Sequence, residues 1–348
     1  MSLFGKNLIC TQDWSIDELL LALNLAVKMK KSRFHSEWKT LLDSKTFIML
    51  FYNHSLRTRI SFEAAMLELG GHAQFIMPPM LRLQTNTEAG ETVQDAARVM
   101  SRYAAGIGIR IAEAAIPYYG AGNNLMADYV KWADVPVINM ANDYYHPCQG
   151  LADILSWAER YGNGLCSPNF ESLKNKNFLL TWAHGGMART WGSVHEALLL
   201  ASRFGMNVTI ARPDGYDLDP QVYQTIAKNC QMHDTAFTTT NNHLNCYENA
   251  HVVYSRNWMS PHAYKDNVFQ KEAEIKFAME KKEWITTAEK MKKTDNAIFT
   301  HCMPIDRGFE VTDEVANSDR SVIYDVAENR LHVQKAVLAL SMSQRFLD

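Results

Sequence analysis

A chain of 348 residues, 47% hydrophobic and 21% charged, is long enough for two ordinary domains of roughly 150 residues, each with its own core. The formal net charge of −3 argues against a nucleic-acid-binding or membrane-surface protein, so clustered basic residues need local explanations. No apolar run approaches the roughly 18–20 residues that cross a bilayer, and residues 1–6 carry no signal-peptide core.

The pattern predicts a helix over residues 15–31, with its N-cap at Asp13 or Ser15. Residues 46–52 are apolar and β-rich and read as a buried strand. Asn53-His54-Ser55 is a turn and N-cap signal, and helical periodicity follows over 61–69, ending at Gly70-Gly71. A strand at 73–77, an irregular loop at 78–90 and an amphipathic helix at 91–103 come next, then short strands at 106–110 and 136–140. A helix from Pro147 to Tyr161 is expected to bridge two halves. After a loop at 163–175, a second series of strands falls at 177–183, 206–211, 250–254 and 297–300. A last helix over 328–346 is expected to pack back on the first domain. Alternating strands and helices argue for an α/β fold with two doubly wound domains, parallel sheets and bridging helices. The expected domains are 1–150 and 151–327, with 328–348 returned to the first.

The densest chemistry is Ser55-Leu56-Arg57-Thr58-Arg59, placed between a strand and a helix start. Free backbone N–H groups and the helix dipole favour an anion there, and guanidinium forks match phosphate oxygens two at a time. A plain solvated turn is the alternative, but two arginines at a helix N-terminus oppose the dipole and need a reason. In open parallel sheets ligands sit outside the carboxyl ends of strands. Arg110, His146-Pro147-Cys148-Gln149 and His301-Cys302-Met303-Pro304 all follow strands, and Glu328-Asn329-Arg330 is read as opening the last helix. Each alone is weak, since a cysteine after a buried strand is usually a small hydrophobe. Zinc ligation by His146, Cys148, His301 and Cys302 has the wrong spacing, so no metal is expected. Trp182-Ala183-His184-Gly185-Gly186-Met187 lacks the glycine fingerprint of a dinucleotide site. The six cysteines (10, 148, 166, 230, 246, 302) are unpaired in spacing and fit a reduced, cytoplasmic enzyme.

Taken in order, Ser55–Arg59, His146-Pro147-Cys148-Gln149, His301-Cys302-Met303-Pro304 and Ala327-Glu328-Asn329-Arg330 resemble the aspartate/ornithine carbamoyltransferase family over nearly the whole chain. That resemblance implies transfer of a carbamoyl group from carbamoyl phosphate to an amine. It also implies a homotrimer with shared active sites, and neither a cofactor nor a covalent intermediate. It assigns Ser55, Leu56, Arg57, Thr58 and Arg110 to the phosphate, with Arg59 bracing the loop. His146 would donate to the developing oxyanion. Gln149, Cys302 and Arg330 would hold the carbamoyl group, and Gln84 would reach a neighbouring subunit's site. His146, Arg57 and Arg110 form the implied catalytic set.

The acceptor stays open. Thr181 to Gly192 and Ser255-Arg256-Asn257-Trp258 resemble the N-acetylornithine and N-succinylornithine branch, whose longer loop gives a knotted chain. Leu56 leans the same way. Against that branch, its loop prolines are absent between 184 and 192, its Asn-Ser pair is replaced by His195-Glu196, and Glu310 stands where its functional lysine would be. The implied acceptor contacts are Asn142, Trp182, His195, Asn257, Trp258, Cys302 and Met303, with core packing the alternative for the tryptophans. Arg189, Arg256 and Lys265 would suit a carboxylate-bearing acceptor. Ornithine or a derivative is the leading reading. Putrescine, a ureido-type amine and a non-catalytic relative are the alternatives, and aspartate fits less well.

Overall fold

The computed structural model describes residues 2–78, 89–112 and 115–346. The chain divides into two compact units. The first comprises Met1–Ile116, Gly120–Leu151 and Asn329–Asp348; the second comprises Pro117–Tyr119 and Ala152–Glu328.

The first unit begins with helix α1 (Ile16–Lys31), closed at its start by a Ser15/Glu18 capping box. It continues through β1 (Thr46–Phe51), α2 (Leu56–Glu68), β2 (His72–Ile76), α3 (Val93–Tyr103), β3 (Gly106–Ile111), α4 (Ala121–Trp132) and β4 (Val137–Asn142). All four strands are parallel, in the order β2-β1-β3-β4. β4 is buried along its whole length and β1 nearly so, as expected of strands covered on both faces. Gly108 makes the core possible at one point: a Cβ there would lie 2.6 Å from the ring of Phe47.

The boundary between the units falls inside α5 (Pro147–Tyr161), at Leu151/Ala152. The second unit holds β5 (Asn177–Trp182), α6 (Gly192–Arg203), β6 (Asn207–Ala211), α7 (Pro220–His233), β7 (Phe237–Thr240) and β8 (Val252–Arg256). A small hairpin of β9 (Tyr264–Lys265) and β10 (Val268–Phe269) follows, then α8 (Lys271–Glu280), α9 (Ala288–Met291), β11 (Ile298–Thr300) and α10 (Asp313–Ala316). Five parallel strands form its sheet in the order β11-β8-β5-β6-β7. The last helix, α11 (Ile323–Met342), is divided at Glu328/Asn329. It begins five residues before the expected start, so Glu328-Asn329-Arg330 lie in its second turn and do not open it. No helix among the described residues is long and apolar enough to cross a membrane.

Strand order locates where each sheet can bind. In the first unit β1 is followed by β2 on one side, and the chain then returns to place β3 on the other, so the order reverses between β1 and β3. In the second unit the same reversal lies between β5 and β8. Loops leaving the carboxyl ends of strands diverge at such switch points and leave a crevice.

Candidate active site

At the first switch point, register places Phe51 opposite Arg110 and Ile111 opposite Asn142. The carboxyl ends of β1, β3 and β4 are therefore neighbours. Tyr52 N–H donates to the Arg110 carbonyl at 2.9 Å, and Asn53 Oδ1 accepts from Ala112 N–H at 3.1 Å. These bonds tie the chain leaving β1 to the end of β3. Helix α2 starts at once, at Leu56, with Ser55 as N-cap accepting from Thr58 N–H. The helix therefore begins ahead of the periodic stretch 61–69, with Arg57 and Arg59 in its first turn behind the N-cap Ser55.

Thr58 is the hub of this turn. Its hydroxyl oxygen accepts from Ser55 Oγ at 3.0 Å and from Arg330 Nη2 at 2.9 Å, and both Thr58 and Arg330 are buried. A hydroxyl has two acceptor sites and one donor, so these two bonds fill the acceptor capacity of Thr58. Arg59 takes no part in that: it pairs with Glu63 one turn on, at 2.9 Å, and its guanidinium lies 4.0 Å over the Phe75 ring. Leu56 is 71% exposed and is the first residue of the helix, so its backbone N–H is among the free donors of the first turn.

His146 sits immediately before Pro147, the first residue of α5, and its carbonyl accepts from Gln149 and Gly150 N–H. The turn that delivers it is rigid. Asn142 Oδ1 accepts from the N–H groups of Tyr144 and Tyr145, and Asn139 Nδ2 donates to the carbonyls of Ile9 and Tyr145. Asn142 thus acts within its own turn and not as an acceptor contact. Asp143, which the sequence did not single out, is fully buried and accepts from Gly120 N–H at 2.6 Å and Asn123 N–H at 3.1 Å. It caps α4; burial pushes its carboxyl up despite these donors. Gln149 is fully buried near the start of α5. Gln84 lies outside the described residues, as do Arg82 and Asn86.

In the second unit, register sets Trp182 opposite Arg256 and Thr300 opposite Tyr254. Glu310 organises the loops that leave these strands. Its carboxylate has no exposed surface and accepts from Asn257 N–H at 2.8 Å and Asp306 N–H at 2.9 Å. His301 Nε2 lies 3.1 Å from it and Arg256 Nη1 3.7 Å. Burial raises the Glu310 carboxyl, but His301, Arg256 and Arg189 outweigh that and hold it well below the usual carboxylate range. His301 Nδ1 accepts from Met303 N–H, so the ring is the neutral Nε2–H tautomer, and burial lowers its pKa. Cys302 is buried, and Met303 adopts a left-handed backbone before the cis peptide to Pro304.

Two of the three cations read as suiting a carboxylate have acidic neighbours within the unit. Arg189 Nη2 donates to Asp306 Oδ1 at 2.8 Å, Arg256 faces Glu310, and Lys265 sits exposed in the hairpin. The tryptophans are interior anchors: Trp182 Nε1–H donates to the Trp258 carbonyl, Trp258 to Tyr216 and Trp191 to Met259. A buried indole N–H needs such a partner, which makes Trp182 and Trp258 core residues and not substrate contacts. Asn257 bridges Glu310 and, through Nδ2, the Ala183 carbonyl. His195 is fully buried in α6.

Residues 6–159 match the family model for the carbamoyl-phosphate-binding domain of aspartate/ornithine carbamoyltransferases, and 184–341 match its aspartate/ornithine-binding domain. The chain belongs to the aspartate/ornithine carbamoyltransferase family. Its relatives in that family include the ornithine carbamoyltransferase of Thermococcus kodakarensis, 34% identical over 98% of both chains. The N-acetylornithine carbamoyltransferase of Xanthomonas axonopodis pv. citri is 32% identical over 97% of both. Among solved structures, an acetylornithine transcarbamylase complexed with acetylcitrulline aligns with a TM-score of 0.87 at 31% identity, covering 97% of this chain and all of that one. The carbamoyltransferase fold and both of its family domains are therefore present.

Proposed function

We propose that the α2 N-terminus is the phosphate clamp of a carbamoyltransferase acting on ornithine or an ornithine derivative. The enzyme transfers the carbamoyl group of carbamoyl phosphate to the side-chain amine, giving citrulline or its acyl derivative and phosphate. The observation that carries the site is the Ser55–Thr58–Arg330 cluster, which fixes the first turn of α2, where backbone N–H groups and Arg57 lie at a helix N-terminus. Arg57 and Arg110 supply guanidinium charge for a dianion. His146, fixed at the start of α5, donates to the carbonyl oxygen as it gains charge, and Gln149 and Arg330 hold the carbamoyl group. A neutral amine attacks and the departing phosphate accepts its proton, so positioning and charge stabilisation carry the rate. Met303 and the loops of the second unit serve the acceptor.

The active assembly is a homotrimer with shared sites. An exposed apolar stripe supports this: Leu56, Ile60 and Leu67 fall on one face of α2, at 71%, 55% and 75% exposure. The scattered cysteines support a cytoplasmic setting and a place in arginine metabolism fits the product. The test is calorimetric titration with carbamoyl phosphate, followed by phosphate release on adding ornithine. Micromolar-range binding without release for any ornithine compound would contradict the acceptor; no binding would contradict the site.

A further inference from the structure

We propose that Arg189 and Asp306 together read the α-amino-acid head of the acceptor, so that the preferred substrate keeps a free α-ammonium. The inference rests on the carbamoyltransferase reading above and narrows its acceptor.

Both residues lie on loops leaving the carboxyl ends of β5 and β11, beside the switch point of the second sheet. Their ion pair uses only part of each group. Arg189 Nη2 donates to Asp306 Oδ1, while Arg189 Nε and Asp306 Oδ2 have no hydrogen-bond partner among the described residues, although both atoms are buried. Arg189 as a whole is 4% exposed. Buried polar atoms are almost always satisfied, and each that is not needs a reason, of which a bound group is one. One ion pair thus leaves one donor and one acceptor unmatched.

Neither residue is free to turn away. Met259 N–H donates to the Arg189 carbonyl, and Asp306 N–H is held by Glu310. Glu310 spends its own carboxylate on Asn257, Asp306 and His301, so it supports the pair without competing for a ligand. Gly185 lies next to the open oxygen: a Cβ there would stand 3.6 Å from Asp306 Oδ2, in ordinary van der Waals contact. His184 flanks the same loop, buried, with its Nδ1 also unpartnered among the described residues. Burial lowers its pKa, so it adds no positive charge that would repel an ammonium.

The complementary ligand carries a cation for Asp306 Oδ2 next to a carboxylate for Arg189 Nε–H. The α-carbon of an amino acid provides that pair. Acylating its nitrogen removes the charge and turns a charge-assisted bond into a weaker neutral one. Ornithine therefore fits this pair better than N-acetylornithine or N-succinylornithine.

The experiment compares kcat/KM of the wild-type protein for ornithine, N-acetylornithine and 5-aminovalerate, which lacks the α-ammonium, with carbamoyl phosphate saturating. Ornithine is expected to exceed both others by about 10²-fold, the loss when a built polar partner is left unmatched. In Asp306→Asn the ornithine KM rises about 10–100-fold while the carbamoyl phosphate KM moves less than threefold, and discrimination against N-acetylornithine narrows. Arg189→Lys, which keeps the charge but lacks the Nε–H, shows the same KM-specific effect. Equal use of 5-aminovalerate and ornithine, or a preference for N-acetylornithine, would overturn the proposal without any variant. A fall in kcat alone, with KM unchanged, would make the pair a structural brace and overturn it too. Carbamoyl phosphate binding with no ornithine compound carbamoylated would instead bring down the underlying acceptor reading, and the proposal with it.

Discussion

Replacing Glu310 by glutamine tests the loop framework of the second unit quantitatively. The carboxylate receives two backbone N–H groups, at 2.8 and 2.9 Å, and stands 3.1 Å from His301 and 3.7 Å from Arg256. The amide keeps one accepting oxygen, but its NH₂ must face a donor, and the charge opposite Arg256 is gone. Removing one partner of a buried ion pair typically costs about 3–5 kcal/mol. The second unit, residues 117–119 and 152–328, holds 180 residues. For that size roughly 2–4 °C is lost per kcal/mol, so the midpoint of thermal unfolding should fall by about 6–20 °C. The effect has a defined pH dependence. Glu310 is held below its ordinary value of 4.5, so its contribution is present above about pH 4.5 and is lost as pH falls toward the folded-state value. The wild-type lead over Glu310→Gln should therefore be constant at neutral pH and shrink below 4.5. Scanning calorimetry at pH 7 and pH 4 reads both effects. A drop under 2 °C at pH 7, or a lead that grows on acidification, would refute the reasoning.

Three further outcomes follow from the donor side. Arg57→Ala should weaken carbamoyl phosphate binding at least 100-fold in calorimetry while circular dichroism stays that of the wild type; affinity within a few-fold would remove Arg57 from the clamp. His146→Ala should lower turnover by about 10²–10³ with little change in carbamoyl phosphate affinity, the loss of one oxyanion donor. Thr58→Val takes the shared acceptor from Ser55 and Arg330 and should both weaken carbamoyl phosphate by about tenfold and lower the unfolding midpoint; an effect on neither would dissolve the hub.

Much of the donor site was legible because it is local. An apolar strand, the Asn53-His54-Ser55 turn and an N-cap serine sit in one stretch, and the α5 bounds at Pro147 and Tyr161 follow from a proline at the first helical position. Apolar periodicity covers only 61–69 because the helix start is polar; the cap signal at Asn53-His54-Ser55 marks the start, and Ser55 caps the helix directly before Arg57 and Arg59. The C-terminal helix gained a turn in the same way, its start at Ile323 hidden by Tyr324 and Asp325. β7 escaped notice because Phe237–Thr240 is an edge strand of threonines, half exposed. What the sequence withheld is pairing over distance. Arg189 and Asp306 lie 117 positions apart, Thr58 and Arg330 are 272 apart, and no spacing rule joins them. The tryptophans misled for a related reason: an indole reads as ligand-facing or core with equal ease until its N–H is seen on a backbone carbonyl.

The central claim is that carbon moves from carbamoyl phosphate to an ornithine-type amine. Carbamoyl phosphate labelled with ¹³C, mixed with ornithine and the enzyme and followed by NMR, tests it most directly. The label should move into a ureido carbon in step with phosphate release, and Arg57→Ala should abolish both. Phosphate released with the label left in bicarbonate or cyanate, or a label unmoved in the presence of any ornithine compound, would contradict it.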